Sequence, residues 1–300
     1  MKINCFPTLD KGDLVGVAAP CARFDASRLY QGIDCLKTLG FQVRVPEGIF
    51  EKKRYLAGED HRRAGVVNEL AADPDVKGII CARGGFGAMR MLDFLDWEVI
   101  RAHPKLFMGF SDATALLTAV MQKAGIGVVH GPNLTSLAGA CPRTRTSFFD
   151  AVTGLLQSMM VSDGLCLKPG RAKGTLVGGN LATLTHLLGT GFSPDFSEGI
   201  LFLEDVGEPA YKIDRMLSQM KMAGLFETVC GVAAGTFDQC DHPEYLPDIF
   251  DDIFGEYGIP VIMGMAAGHG AVNLSLSMGR QVRLDADQMT LDWLKDTPCL

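Results

Sequence analysis

Ser111 stands where a short apolar run, residues 106–110 (LFMGF), gives way to a stretch of helix formers, residues 113–121 (ATALLTAVM). A serine on a sharp strand-to-helix turn has its hydroxyl lifted out of the end of a sheet with helix N–H groups behind it, which suits a nucleophile for acyl transfer. Such a turn requires small flanks. Gly109 and Ala113 occupy the two glycine positions of G-x-S-x-G, the second as alanine. The competing reading is a plain N-cap, in which the serine oxygen accepts a hydrogen bond from a first-turn N–H.

Serine chemistry on an amide needs a base, a carboxylate to orient the imidazolium, and N–H donors for the oxyanion. His269 lies between Gly268 and Gly270 in MAAGHGAVN, where a free backbone lets a ring project into a cleft. His130, at a strand end beside Gly131 and Pro132, is the rival base; His186 reads as packing on an apolar helix face, and His61, His103 and His242 as solvated surface. Three acids, Glu204, Asp205 and Glu208, follow the apolar run GILFL. Composition does not rank them, but a period of two puts Glu204 and Asp205 on opposite faces, so only one of that pair points at a given site. The turn 83–87 (RGGFG) lacks the G-x-G-x-x-G spacing and a P-loop lysine, which argues against a nucleotide phosphate. Gly84 or Gly85 instead offers a backbone N–H that can approach a reacting carbonyl, as partner to the N–H of Asp112. Arg83 suits a free substrate carboxylate, with a buried structural arginine as the alternative.

The elements that must position these residues alternate along the chain. Apolar runs at 13–19, 41–45, 76–81, 106–110 and 127–130 are separated by helical stretches at 27–39, 61–72, 88–95 and 113–121. Alternation of that kind predicts an α/β fold with a mostly parallel sheet covered on both faces. Further strands are expected at 174–177, 199–203, 229–235, 260–265 and 282–284, with helices at 181–188 and 212–222. A polar, weakly periodic region around a helical segment at 146–160 separates the two parts, so the expected organisation is an N-terminal domain over 1–140, a linker over 141–172 and a smaller C-terminal α/β domain over 173–300. In such sheets ligands collect at the carboxyl ends of the strands, where Ser111, the 83–87 turn, Glu204 and His269 all fall.

A 300-residue chain that is 47% hydrophobic and 21% charged has ample material for packed cores and too few charges for a disordered one. Its net charge of −7, with no basic run longer than Lys52, Lys53 and Arg54, argues against nucleic acid or an anionic membrane as partner. The first residues, MKINCFPTLDKGD, carry no apolar signal core, and no later run approaches a membrane span. Nine cysteines, at 5, 21, 35, 81, 141, 166, 230, 240 and 299, form no C-x-x-C pair and sit mostly in apolar segments. Free thiols in a reducing cytoplasm fit that pattern, and no metal or cofactor is expected; Cys240 and His242 make two possible ligands, too few for a site.

Taken together, RGGFGAMRMLDFLDW, GFSDATALL, HGPN, GTLVGGNLATLTHLLGT, ILFLEDVGEPAYKIDRMLSQM and GMAAGHG closely resemble, in order, the LD-carboxypeptidase family, which holds muramoyl-tetrapeptide carboxypeptidases and microcin C self-immunity proteins. The resemblance implies a serine peptidase with an N-terminal nucleophile domain and a C-terminal domain. It implies Ser111 as nucleophile, Glu204 and His269 as the rest of the triad, and the N–H groups of Gly84 and Asp112 as oxyanion donors; it also implies a homodimer. One departure is Ser277, where relatives often carry proline. The resulting expectation is a cytoplasmic enzyme that releases terminal D-alanine from a small murein tetrapeptide, its three triad segments meeting in one crevice. The alternatives are an immunity-type amidase acting on a peptidyl-nucleotide antibiotic and a catalytically silent small-molecule binding protein.

Overall fold

The computed structural model describes residues 2–294; Cys299, counted among the thiols, lies outside them. The chain divides into two compact units, residues 2–156 with 274–277, and residues 157–273 with 278–294.

In the first unit β1 (Leu14–Ala18), β2 (Gln42–Arg44), β3 (Val76–Cys81), β4 (Leu106–Gly109) and β5 (Val128–His130) lie in the order β5-β4-β3-β1-β2, every pairing parallel. Val15, Val17, Ile79, Ile80, Phe107, Met108, Val128 and Val129 are all buried, so β1, β3, β4 and β5 are apolar on both faces, as a parallel sheet under helices requires, while β2 is a half-exposed edge strand. The segment Leu276–Met278 returns to this sheet beside β5, and Ser277, at the family's proline position, is buried within it. The covering helices are α1 (Ala26–Leu39), α2 (Asp60–Ala72), α3 (Ala88–Met91), α4 (Trp97–Ala102), α5 (Thr114–Ala119), α6 (Leu134–Leu137) and α7 (Pro142–Val152). Asp25 caps α1 by accepting the Arg28 N–H, and Gly40, at φ +101°, ends it.

Two helical expectations are corrected here. The stretch 88–95 is α-helical only to Met91 and tightens over Leu92–Phe94; Asp96 then starts α4 by accepting the N–H groups of Glu98 and Val99. The helix expected over 146–160 runs instead over Pro142–Val152, because proline is favoured in a first turn and Gly154, at φ +75°, turns the chain away.

The second unit holds an eight-stranded mixed sheet. Its strands are β6 (Ser158–Met160), β7 (Leu165–Lys168), β8 (Arg171–Asn180), β9 (Gly199–Val206), β10 (Gly231–Asp238), β11 (Val261–Met263), β13 (Gln281–Asp285) and β14 (Thr290–Trp293), with Leu276–Met278 as β12 in chain order. The order is β6-β14-β13-β8-β9-β10-β11-β7. The central strands β8, β9, β10 and β11 are parallel and the outer ones antiparallel. Residues 157–172, expected as linker, thus supply β6 and β7 at the two edges. Both are short, with half-exposed side chains and no clear period.

Helices α8 (Leu181–His186), α9 (Ala210–Met222) and α10 (Leu246–Phe254) cover this sheet. Phe226, Phe250 and Phe254 stack between them, with Phe226 and Phe254 ring centroids 4.8 Å apart, around Leu201, Leu203 and Leu217. His186, expected as packing, is exposed in the last turn of α8, which is shorter than the periodic run suggested. No helix among the described residues is long and apolar enough to cross a membrane.

Candidate active site

Ser111 lies two residues past the end of β4 and has φ +62°, one of five non-glycine residues in the left-handed region among the described residues. A serine N-cap takes extended backbone angles. Here Phe110 is extended, at φ −156°, and takes that position, while Ser111 begins a one-turn helix, Ser111–Ala113, that leads into α5. The plain-cap reading therefore does not describe this turn. A left-handed L-residue costs about 1–2 kcal/mol, and such strain concentrates at functional positions. The flanks are as tight as the spacing suggested: a methyl group on Gly109 would lie 2.8 Å from Ala113 Cβ and 3.0 Å from Cys81 Sγ.

The glycine turn packs against this elbow within the same unit. A methyl group on Gly84 would lie 2.8 Å from Ser111 Cβ and 3.0 Å from its Oγ. Gly85 and Gly87 have φ of +107° and +135°, so the turn needs glycine for its path as well as for space. Buried Arg63 donates through Nη1 to the carbonyls of Gly87 (2.9 Å) and Pro20, and through Nη2 to Asp60, which also binds Arg90. Arg83 is exposed, with Nη1 donating to the Arg23 carbonyl at 2.7 Å, which removes the buried structural reading. His130 is buried with its ring edge-on to Phe110.

In the second unit β9 extends three residues beyond GILFL, so Glu204 lies within the strand and not after it. Its side chain is fully buried, and Oε2 is 2.7 Å from His269 Nδ1. Oε1 has no hydrogen-bond partner among the described residues. Asp205, on the opposite face as the period of two requires, accepts from Asn180 Nδ2 and the Ala182 N–H, tying down the start of α8. Burial pushes its carboxyl up to about 6, although these donors and the Val206 N–H oppose the rise. Glu208 reaches Lys212 on the surface, at 3.6 Å. Burial disfavours a charged His269, but the Glu204 hydrogen bond and the charges of Glu204, Asp205 and Asp238 outweigh it, raising the imidazole above its ordinary value. The loop is held by Gly268 N–H donating to Asn273 Oδ1 (3.1 Å) and by Thr236 Oγ1, which accepts the Gly270 N–H and donates to the Ala267 carbonyl (both 3.3 Å).

Several supports escaped the sequence reading. Asn133 exchanges two long, 3.4 Å hydrogen bonds with the backbone of Phe110 and so braces the elbow. Its motif, HGPN, stood out, but nothing in the spacing assigned that role. Thr236 and Asn273 carried no signal, since a threonine in a strand and an asparagine in a loop are ordinary. The described cysteines are all free. Burial pushes the Cys81 thiol up to about 12, which keeps it from being a nucleophile.

A serine elbow at the end of a parallel strand and a buried carboxylate–imidazole pair are the parts of a serine hydrolase built on an α/β chain. Residues 15–131 match the LD-carboxypeptidase N-terminal domain and residues 173–284 the LD-carboxypeptidase C-terminal domain, and the chain belongs to that family of serine peptidases. It is 36% identical over 292 residues to the probable murein peptide carboxypeptidase of Bacillus subtilis, covering 94% of this chain and 92% of that protein. It is 28% identical to the microcin C7 self-immunity protein of Escherichia coli, over 93% and 92% of the two chains. The crystal structure of muramoyltetrapeptide carboxypeptidase from Oxalobacter formigenes superposes with a TM-score of 0.85 at 30% identity, covering 95% of this chain and 99% of that one.

Proposed function

We propose that this chain is a serine LD-carboxypeptidase that removes the terminal D-alanine from a murein-derived tetrapeptide. Ser111 Oγ attacks the carbonyl carbon that precedes D-alanine while His269 takes the hydroxyl proton. The N–H groups of Gly84 and Asp112 receive the developing oxyanion, each contributing roughly 10²–10³ in rate. The intermediate collapses as His269 returns the proton to the leaving amine, and water then hydrolyses the acyl-enzyme by the same route. Glu204 holds the Nδ1–H tautomer and stabilises the imidazolium. Arg83 meets the terminal carboxylate of the substrate.

The observation that carries this reading is the left-handed Ser111 pressed against Gly84, a strained serine that does not cap its helix. The Glu204–His269 pair supports it, as do relatives named for murein peptides. Free thiols support a cytoplasmic enzyme. The test is D-alanine release from a murein tetrapeptide by the wild type and by Ser111→Ala, Glu204→Ala and Asp205→Ala. Ser111→Ala and Glu204→Ala should lose activity by orders of magnitude and Asp205→Ala should lose mainly stability, by about 1–3 kcal/mol, since its buried donors are left unpaired. Release that persists in Ser111→Ala rejects the mechanism, and hydrolysis of a peptidyl-nucleotide in place of the tetrapeptide favours the immunity-type reading.

A further inference from the structure

Asp112 is a buried acid whose carboxylate has no part in the proposed chemistry, which uses only its N–H. Burying a carboxylate is costly unless donors converge on it. Here the surroundings are polar: Oδ2 accepts the Ala88 N–H at 2.9 Å, and the Gly87 N–H, the Cys21 thiol and the Arg63 charge all lie close enough to favour the ionised form. Burial pushes the Asp112 carboxyl up, and those donors and Arg63 oppose the rise.

The backbone N–H groups that face the carboxylate come from one place. Gly87 and Ala88 end the glycine turn and open α3, and Gly84, the other proposed oxyanion donor, is three residues earlier. The one large side chain of the turn, Phe86, is exposed beside Tyr55, and two of its glycines sit at positive φ. It is gripped by Asp112 on the Ala88 N–H, by Arg63 on the Gly87 carbonyl and by the Ala22 N–H, which donates to the Gly84 carbonyl at 3.2 Å. The residue whose N–H would receive the oxyanion therefore also hooks the turn that carries the second donor.

We propose that the Asp112 side chain is a positioning group that sets the spacing between the Asp112 and Gly84 N–H donors by tying the 84–87 turn to the serine elbow. This rests on the carboxypeptidase reading above. The geometry of an oxyanion hole matters only when the carbonyl becomes tetrahedral, so a loosened turn should lower kcat and leave KM largely unchanged. Asparagine keeps the shape and one acceptor oxygen, but it places an NH2 group among donors; alanine removes the hook.

The experiment measures kcat and KM for D-alanine release by full-length wild type, Asp112→Asn and Asp112→Ala. It also measures affinity for a peptide boronic acid, which forms a tetrahedral adduct, and for a non-hydrolysable peptide, with thermal midpoints recorded alongside. Expected is a fall in kcat of roughly 10²-fold with KM within about threefold, and a boronate affinity weakened far more than that of the ground-state peptide. If the alanine variant does not fold, the isosteric asparagine variant decides. A kcat within about threefold of wild type in folded Asp112→Asn, or equal weakening of both ligands, overturns the inference. Those results leave the carboxypeptidase reading standing so long as Ser111→Ala is inactive; a Ser111→Ala that still releases D-alanine removes that reading and this inference with it.

Discussion

Gly268→Ala tests whether the carboxylate–imidazole pair is held by packing. Gly268 has φ +120°, and a methyl group there would lie 2.6 Å from Glu204 Oε2, 2.6 Å from Thr236 Oγ1 and 2.9 Å from Glu204 Cβ. Ordinary contact begins near 3.4 Å, so the carboxylate must move by about 0.8 Å. Its one hydrogen bond among the described residues is the 2.7 Å bond to His269, since Oε1 has no partner there. A shift of that size away from the imidazole stretches the bond to about 3.5 Å, at the outer limit for a hydrogen bond and well outside the strong range. Losing a bond to a charged group removes about 1.5–3 kcal/mol, which corresponds to a fall in kcat of roughly 10- to 10²-fold. Forcing alanine into a positive-φ position adds about 1–2 kcal/mol of instability, and the total should lower the thermal midpoint by roughly 10 °C. Gly207→Ala is the control: at φ +71°, with nothing within 4 Å of the added methyl, it carries the backbone cost alone. The assay is kcat for D-alanine release beside thermal melts of both variants. If Gly268→Ala keeps kcat within about threefold of Gly207→Ala, the steric account of how Glu204 is held is wrong.

Further outcomes follow from charge and from strain. A base must be neutral, and Glu204 raises His269, so the acid limb of kcat/KM should have its midpoint above the ordinary imidazole value of 6.5. Glu204→Gln, measured on its residual activity, should move that midpoint down, since burial then acts with less opposition; a midpoint that stays put excludes Glu204 as the cause. The same pair stabilises the fold fully below pH 6.5, and that contribution is lost as pH rises through the raised folded-state value. Ser111→Gly should abolish activity yet stabilise the protein by roughly 0.5–1 kcal/mol, because glycine accepts φ +62° without strain. A lowered thermal midpoint would show that the serine conformation is not strained.

The legible parts of this protein are those where local chemistry and long-range position coincide. Parallel strands buried on both faces must be apolar runs, so β1, β3, β4, β5 and the start of β9 could be read directly. The end of β9 could not, because Glu204 and Asp205 look like loop residues until the 264–273 loop is known to meet the first and the start of α8 the second. For the same reason β6 and β7 passed for linker: an edge strand needs only one apolar face, and three or four half-exposed residues carry no period. Ser111 was found from its small neighbours, whose spacing is a local demand of the turn itself. The groups that hold the site, Asn133, Thr236, Asn273 and the Asp112 carboxylate, act on backbone N–H and C=O groups of other segments. Such bonds ask only for a small polar side chain at one end and nothing of the residue at the other. Short-range spacing therefore marks where chemistry can occur, while the rigidity it depends on is written in contacts between distant segments.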